Sequence, residues 1–143
     1  MAGSQNNHPV PTRIVVHQQS RILEIGYADG EHFKLPFELL RVYSPSAEVR
    51  GHGPGQEVLQ VGKRQVGIEQ LDAVGNYAVQ PRFSDGHDTG IFSWEYLYWL
   101  GQNQESLWDD YLKRLQQAGA SRDDMAAADP DSLQAASITR PRA

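Results

Sequence analysis

Asp85, His87 and Asp88 form the one compact group of titratable side chains in this sequence that could carry acid–base or metal chemistry. They lie between a strand-like segment that ends at Phe83 and a helix-like segment that starts near Trp94. An imidazole changes its charge near neutral pH, and a neighbouring carboxylate can orient the ring. The residue types therefore suit a general base or a metal ligand, but they name no substrate.

The same residue types also serve a purely structural turn. Asp85 and Gly86 favour a tight turn, in which Asp88 and Thr89 bond backbone N–H groups and His87 packs against Trp94. As a metal site the group is incomplete, because adjacent residues rarely bind one ion together. Further ligands would have to come from His32, His52 or Glu48. Both interpretations stay open at the level of residue types.

Most of the large aromatic side chains follow this turn, at Trp94, Tyr96, Tyr98, Trp99, Trp108 and Tyr111. At helical spacing, most of them should cover a small sheet. Successive helical positions lie about 100° apart, so Tyr96, Tyr98 and Trp99 cannot all face that sheet. At least one should be exposed, which favours a contact with a protein partner. We predict a binding surface made of Asp85, His87, Asp88, Trp94, Tyr98 and Trp99.

The elements that position the turn predict an α+β fold: an antiparallel sheet of about five strands with two to three helices packed on it. Strand patterns cover residues 13–17, 21–27, 32–35, 66–74 and 77–83. Helices are predicted after Pro36, after an N-cap at Ser93, and from about Gln104 to Gln117. Pro81 donates no ladder hydrogen bond, which predicts an open edge or a bulge in the last strand.

Two stretches share one pattern, from Tyr27 to Leu40 and from Phe83 to Leu97. Each has an aromatic strand end, an Asp-Gly turn and a helix start with a glutamate in its first turn, where a carboxylate complements the helix dipole. The pattern favours an internal structural repeat, although two short matches also arise by chance. Between the two stretches, the Pro- and Gly-rich segment from Tyr43 to Gly62 predicts a long loop.

Composition limits the domain and its partners. The 143 residues suit one domain at 12–118, with disordered polar segments at 1–11 and 119–143. A net charge of -5 without a basic run argues against nucleic acid or an anionic membrane as the partner. The absence of cysteine excludes disulfides, thiolate metal sites and cysteine nucleophiles, and it fits a cytoplasmic location.

The stretch from Ser84 to Leu97, with Leu39-Leu40-Arg41 after the first Asp-Gly turn, resembles the gamma-butyrobetaine hydroxylase-like N-terminal domain family. This family is also called domain of unknown function 971, and the resemblance covers about Ile22 to Leu112, as a stand-alone bacterial-type member. In the carnitine-biosynthesis hydroxylases, the related domain precedes an iron- and 2-oxoglutarate-dependent catalytic domain. It also holds a structural zinc through three cysteines and one histidine. Hydroxylase activity is not carried over, because this chain lacks the catalytic domain.

The resemblance places the three cysteine positions at Ser44, Ser46 and Val49 and the histidine position at His87. None of the first three residues can replace a thiolate, so the zinc site is not carried over either. The resemblance instead implies a small non-enzymatic binding or adaptor domain. No cofactor is assigned to it.

In other family members the domain is fused to a P-loop ATPase of the kind that carries iron–sulfur clusters. The resemblance thus suggests a protein partner of that kind and an accessory role in iron–sulfur or iron metabolism. The alternative is a metal-binding protein, or an accessory subunit of an oxidoreductase. In that case His87, with Asp85 or Asp88, would bind iron or zinc.

Overall fold

The computed structural model describes residues 9–51 and 55–123. Its elements, in chain order, are β1 Pro11–His17, β2 Ile22–Tyr27, β3 His32–Pro36, α1 Phe37–Val42, α2 Ala47–Arg50, β4 Ile68–Val74, β5 Ala78–Phe83, β6 Phe92–Ser93, α3 Trp94–Gln102 and α4 Gln104–Ala118. The predicted α+β class is confirmed. Predictions for residues 1–8 and 124–143, and for His52 as a ligand, lie outside the described residues.

The strands form two antiparallel three-stranded sheets, in the orders β1-β2-β3 and β4-β5-β6. The prediction of one sheet of about five strands is therefore wrong. β3 passes directly into α1, and β4 begins only after the long segment 43–67, where it pairs with its own neighbour β5. The sixth strand has two residues, too few for a strand pattern, and the one-turn helix α2 lies in the predicted loop.

Each sheet is followed at once by a helix: β3 by α1, and β6 by α3. This arrangement matches the internal repeat that the two Asp-Gly stretches predict. Ser93 caps α3 as expected, since its side chain accepts a hydrogen bond from the backbone N–H of Tyr96. β6 pairs with Ala78 and Val79, so the rest of that edge of β5, including Pro81, extends past β6.

The main core joins the two sheets with α1 and α3. Alternating residues of β2 point inward, as expected for a half-buried strand. Its fully buried large side chains are Leu23, Ile25, Leu35, Phe37, Leu39, Leu40, Phe83, Phe92, Leu97 and Leu100. α3 approaches β3 so closely that a Cβ atom at Gly101 would lie 2.3 Å from the Phe33 ring. A glycine is therefore required at this helix position.

The helix α4 packs against the end of α1. Tyr111 and Leu115 are buried together with Val42, and the Tyr111 hydroxyl donates to the carbonyl of Gln60 at 2.7 Å. Gly119 ends the helix in a left-handed conformation, with φ of 66°. Within the described ranges, no helix is long and apolar enough to cross a membrane.

The chain returns to the domain after α4. The backbone N–H of Gly62 donates to the carbonyl of Ser121 at 3.1 Å, and Arg122 makes two hydrogen bonds to Glu38, at 2.8 and 2.6 Å. The segment predicted as a disordered tail therefore begins with residues that are bound to the domain.

Candidate functional site

The turn that holds His87 is fixed by its own backbone. Gly86 has φ of 91° and donates its N–H to the carbonyl of Phe83 at 2.9 Å. The Phe83 N–H donates to the carbonyl of His87 at 2.9 Å, and Asp85 Oδ1 accepts from the His87 N–H at 3.2 Å. Gly86 is the fourth residue of this turn, and the positive φ that it adopts there favours a glycine.

The His87 ring points inward. Its side chain is 8% exposed, and Nε2 lies 2.8 Å from Ser44 Oγ and 3.2 Å from Ser46 Oγ. The ring also packs against Phe83, with 6.0 Å between ring centroids. Burial lowers the pKa of His87, and the nearby Arg41 guanidinium lowers it further. The imidazole is therefore neutral at pH 7.

Ser44 and Ser46 come to His87 from the segment that joins α1 to α2. Both serines are buried, and Val49 is buried in α2. The turn can approach them because position 90 is a glycine: a Cβ atom there would lie 2.2 Å from Ser44 Oγ. The structure thus gathers His87 with two of the three positions at which the resemblance expects cysteines.

These residues do not form a zinc site. Structural zinc in proteins takes four thiolate or imidazole ligands, and here two hydroxyls and a valine stand beside one imidazole. Within the described part of the chain, no group of three His, Cys, Asp or Glu residues is placed to hold a metal ion. His87 Nε2 instead lies within hydrogen-bonding distance of the two hydroxyls.

His17 and His32, which both contact Glu24, are not placed to hold a metal ion with other described residues either. The Nε2 atoms of His17 and His32 lie 2.7 and 2.5 Å from the two carboxylate oxygens of Glu24. Each ring contacts a different oxygen, and the three residues lie on the neighbouring strands β1, β2 and β3. The two contacts are therefore separate hydrogen bonds across the first sheet. They lower the pKa of Glu24 to about 2.

A serine nucleophile needs a histidine base, a carboxylate that orients the histidine, and access for the substrate. Ser44, His87 and Glu48 lie near one another, but the last two conditions are not met. Glu48 Oε1 lies 3.9 Å from His87 Nδ1, which is too long for a hydrogen bond, and it accepts from the Thr89 hydroxyl instead. Ser44 is 1% exposed, so a substrate cannot reach its oxygen. The geometry therefore supports packing rather than nucleophilic catalysis.

Asp85 holds two basic side chains. Its Oδ2 accepts from Arg41 Nε at 2.9 Å and from Lys63 Nζ at 2.6 Å. Arg41 also donates to Gln60 Oε1 at 2.9 Å. Burial by itself would raise the pKa of Asp85, but the Lys63 hydrogen bond and the Arg41 charge outweigh it, so the pKa lies below its ordinary value. Asp85 thus ties the turn to α1 and to the segment before β4.

The remaining predicted residues lie in different places. The Asp88 side chain is exposed, while its carbonyl accepts from Gln80 Nε2 at 2.7 Å. Trp94 is half-buried, and its Nε1 donates to the carbonyl of Asn76 at 2.8 Å. Tyr98 packs edge-on against Tyr27, and its hydroxyl donates to Asp29 Oδ2 at 2.8 Å. That bond raises the pKa of Tyr98 to about 12.

Trp99 follows Tyr98 in α3 and faces a different side of the helix. Its side chain is 45% exposed, and its ring stacks on Tyr96, with 5.7 Å between centroids and 22° between planes. Beside this pair is a cleft of about 270 Å³, which we call the Trp99 cleft. Its other main lining residues are Tyr43, Val49, Arg50, Val58 and Arg114.

The six predicted residues are therefore not gathered into one patch. Asp85 and His87 make contacts that hold the turn, and Asp88 is exposed next to them. The Trp94 side chain bonds Asn76, Tyr98 packs on Tyr27, and Trp99 lies at the cleft. The sequence did not point to Arg50, Val58 or Arg114. Arg50 and Val58 lie in or after the unpredicted helix α2, and their meeting with α4 has no local signal.

A larger cleft of about 840 Å³ lies where the start of α1 meets the corner between α3 and α4. Here Glu38 and Arg122 bond each other, and the Arg122 guanidinium lies 5.0 Å from the Trp108 ring centroid. Glu105 and Asp109 add carboxylates to its lining. Arg122, the arginine of this cleft, already makes two hydrogen bonds to Glu38. This cleft therefore offers a ligand fewer free hydrogen-bond donors than the Trp99 cleft does.

Comparisons with known proteins agree on the family. The family model described as gamma-butyrobetaine hydroxylase-like, N-terminal, matches residues 14–98. Two solution NMR structures are 45% and 51% identical in sequence, and each gives a TM-score of 0.72. The matches cover 84% and 85% of this chain, and 95% and 93% of those chains.

A third similar structure is the crystal structure of a protein of unknown function from Acidithiobacillus ferrooxidans, described as a member of the DUF971 family. It is 43% identical, with a TM-score of 0.54, and the match covers 64% of this chain and 91% of that one. A search of the curated proteins gave no match. The residue pattern, the fold and these similarities together show that the chain belongs to the gamma-butyrobetaine hydroxylase-like N-terminal domain family.

Proposed function

We propose that this domain is a small, non-catalytic protein-binding module whose contact surface centres on Trp99. The observation that carries the proposal is the 45% exposure of a tryptophan ring that is stacked on Tyr96 beside a cleft. Large aromatic side chains held rigidly at a concave surface are the usual anchors of protein interfaces. Trp99 is held in this way without being used in the core.

The chemistry around His87 supports a non-catalytic role. The polar groups of the turn bond to one another and to α1: His87 to the two serines, and Asp85 to Arg41 and Lys63. A catalytic histidine needs an accessible partner and a neighbour that orients its ring. The contacts of His87 instead resemble those of a packing residue.

A P-loop ATPase of iron–sulfur assembly is our first candidate for the partner, because other family members carry such a domain on the same chain. On this ground we propose that the adaptor acts near iron–sulfur metabolism. A cytoplasmic location remains a prediction from the cysteine-free composition.

Site-specific photo-crosslinking tests the module. A benzoylphenylalanine placed at position 99 in the full chain should give a discrete adduct with one partner in cells of the source organism. Tyr77, which is 55% exposed on the β4–β5 turn, is the matched control position. Identical adducts from positions 99 and 77, or none from position 99, would overturn the proposal.

The ATPase is tested separately with purified proteins. We expect it to bind the wild-type chain, and we expect Trp99→Ala to weaken binding at least tenfold while Tyr77→Ala does not. If a discrete adduct forms at position 99 with another protein and the ATPase does not bind, the module stands and this partner is wrong.

A further inference from the structure

We infer that the Trp99 cleft recognises a carboxylate that lies next to an apolar side chain on the partner protein. This inference rests on the proposed binding function and adds the chemistry of the partner. Two features carry it: an apolar recess of limited size, and two arginines at its wall.

The recess fits one side chain of a protein. Its volume of about 270 Å³ is below the range of about 300–1,000 Å³ typical of sites for drug-sized molecules. Val58 is 50% exposed and Trp99 45% exposed at this cleft, so both lose apolar exposure when a partner covers them. An aliphatic or aromatic side chain is the matching group.

Arg50 supplies the first cationic group. Its guanidinium carbon lies 5.3 Å from the centroid of the Tyr96 ring, which in turn stacks on Trp99. No carboxylate among residues 9–51 and 55–123 forms an ion pair with Arg50. A guanidinium over an aromatic ring still has in-plane N–H donors at its edge, which suit a carboxylate.

Arg114 supplies the second cationic group of the cleft. Its guanidinium carbon lies 5.6 Å from the centroid of the Tyr43 ring, and one terminal N–H donates to the Tyr43 hydroxyl at 3.2 Å. The buried Nε atom makes no hydrogen bond within the described residues, although Asp110 Oδ2 lies 3.2 Å away. Asp110 is exposed, and such surface ion pairs contribute little, so Arg114 remains available to a carboxylate of the partner.

The local charge, and not the total charge, selects the ligand. The chain carries a net charge of -5, but the lining of the cleft has two arginines against one carboxylate, Glu57, and Asp110 pairs with only one of these arginines, Arg114. At physiological salt, charges more than about 8 Å apart are largely screened. An acidic segment therefore experiences mainly the Arg50 guanidinium, which pairs with no carboxylate among the described residues, and Arg114 adds a charge that Asp110 partly offsets.

Selection from a library of random twelve-residue peptides on phage, against the immobilised full chain, tests the inference. We expect enriched peptides to place Asp or Glu within two positions of a large apolar residue. A synthetic peptide of the enriched sequence should bind the wild-type chain, and Arg50→Gln and Arg114→Gln should each weaken binding about tenfold. Arg82→Gln, an exposed arginine on β5, is the control and should change nothing.

Enriched peptides without a carboxylate, or binding that neither arginine substitution weakens, would overturn the inference. The proposed module would still stand if the adduct at position 99 formed. Absence of enrichment on wild-type protein relative to Trp99→Ala would also overturn it. Analytical ultracentrifugation gives a further test. If the wild-type chain forms a dimer that Trp99→Ala dissociates, a second copy of the chain fills the cleft and the inference is overturned. Failure of the crosslink at position 99 tests the module independently of these results.

Discussion

The two Asp-Gly turns of this domain have the same backbone and different partners. After β2, Gly30 donates to the carbonyl of Tyr27 at 3.0 Å, and its φ is 92°. After β5, Gly86 donates to the carbonyl of Phe83 at 2.9 Å, and its φ is 91°. In both turns the aspartate Oδ1 accepts from the N–H two residues later, at 2.9 Å for Asp29 and 3.2 Å for Asp85.

The second carboxylate oxygen separates the two turns. Asp29 Oδ2 accepts from the Tyr98 hydroxyl at an exposed position, whereas Asp85 Oδ2 accepts from Arg41 and Lys63 and is largely enclosed. The first turn leads directly into β3, but the second continues through His87 and Gly90 before β6. The same local signal thus makes a simple turn in one place and a crosslink of three segments in the other.

The largest expected difference between the turns is in their aspartates. Asp85→Ala leaves Arg41 and Lys63, which are 8% and 11% exposed, without their shared carboxylate. We expect the free energy of unfolding to fall by about 3 kcal/mol. Asp29→Ala should have a clearly smaller effect because its partners are solvated. Urea unfolding at pH 7 measures both, and equal losses would contradict the assignment of Asp85 as a crosslink.

Gly90→Ala tests the close approach that only the second turn makes. The new Cβ atom would lie 2.2 Å from Ser44 Oγ, so the turn or the serine must move. We expect a loss of about 2 kcal/mol in unfolding free energy. Gly67→Ala is the control, because its Cβ atom would meet Ser84 Oγ at an ordinary 3.8 Å. If Gly90→Ala is as stable as the control, the contact with Ser44 is looser than the structure indicates.

Gly30→Ala and Gly86→Ala test the shared backbone. Both glycines have a positive φ, and a Cβ atom on either would meet nothing within 4 Å. The penalty is then purely conformational, and we expect about 1 kcal/mol at each position. Thermal and urea unfolding should give equal losses. A difference larger than the experimental error would show that the two turns are not equivalent.

The pH dependence of stability should trace to His87. Its pKa is below the ordinary value of 6.5 in the folded chain, so the unfolded chain binds the proton more readily. The stabilisation is complete above pH 6.5 and is lost as pH falls from 6.5 toward the lower folded pKa. The depressed pKa values of Asp85 and Glu48 act only at still lower pH. Urea unfolding between pH 7.5 and 5.5 should therefore show a steeper decline for wild type than for His87→Gln; parallel declines would exclude His87 as the cause.

The smallest expected effect concerns metal. Because two hydroxyls occupy the Nε2 side of His87, we expect no stoichiometric iron or zinc in protein purified from metal-replete cells. Elemental analysis of wild type and His87→Ala measures this. One equivalent of metal that disappears in His87→Ala would favour the alternative metal-binding function and contradict our assignment of His87 to packing.

Local features of the fold were predictable because their causes lie within a few residues. The Ser93 cap, the glycines of the two turns and the alternation of β2 follow from backbone geometry and side-chain period. The two-sheet arrangement was not predictable in this way. It depends on which strands meet after the long segment 43–67, and strand patterns do not state their partners.

The same distinction between local and long-range causes applies to the candidate site. The sequence by itself determined the shape of the Asp85 turn and required that at least one aromatic residue of α3 be exposed. Only the tertiary structure decided that Asp85 meets Arg41 and Lys63, that His87 is enclosed by Ser44 and Ser46, and that Trp99 is the exposed ring. These contacts join residues far apart in the chain, and their energies depend on burial and on opposing charges that exist only after the sheets and helices have packed.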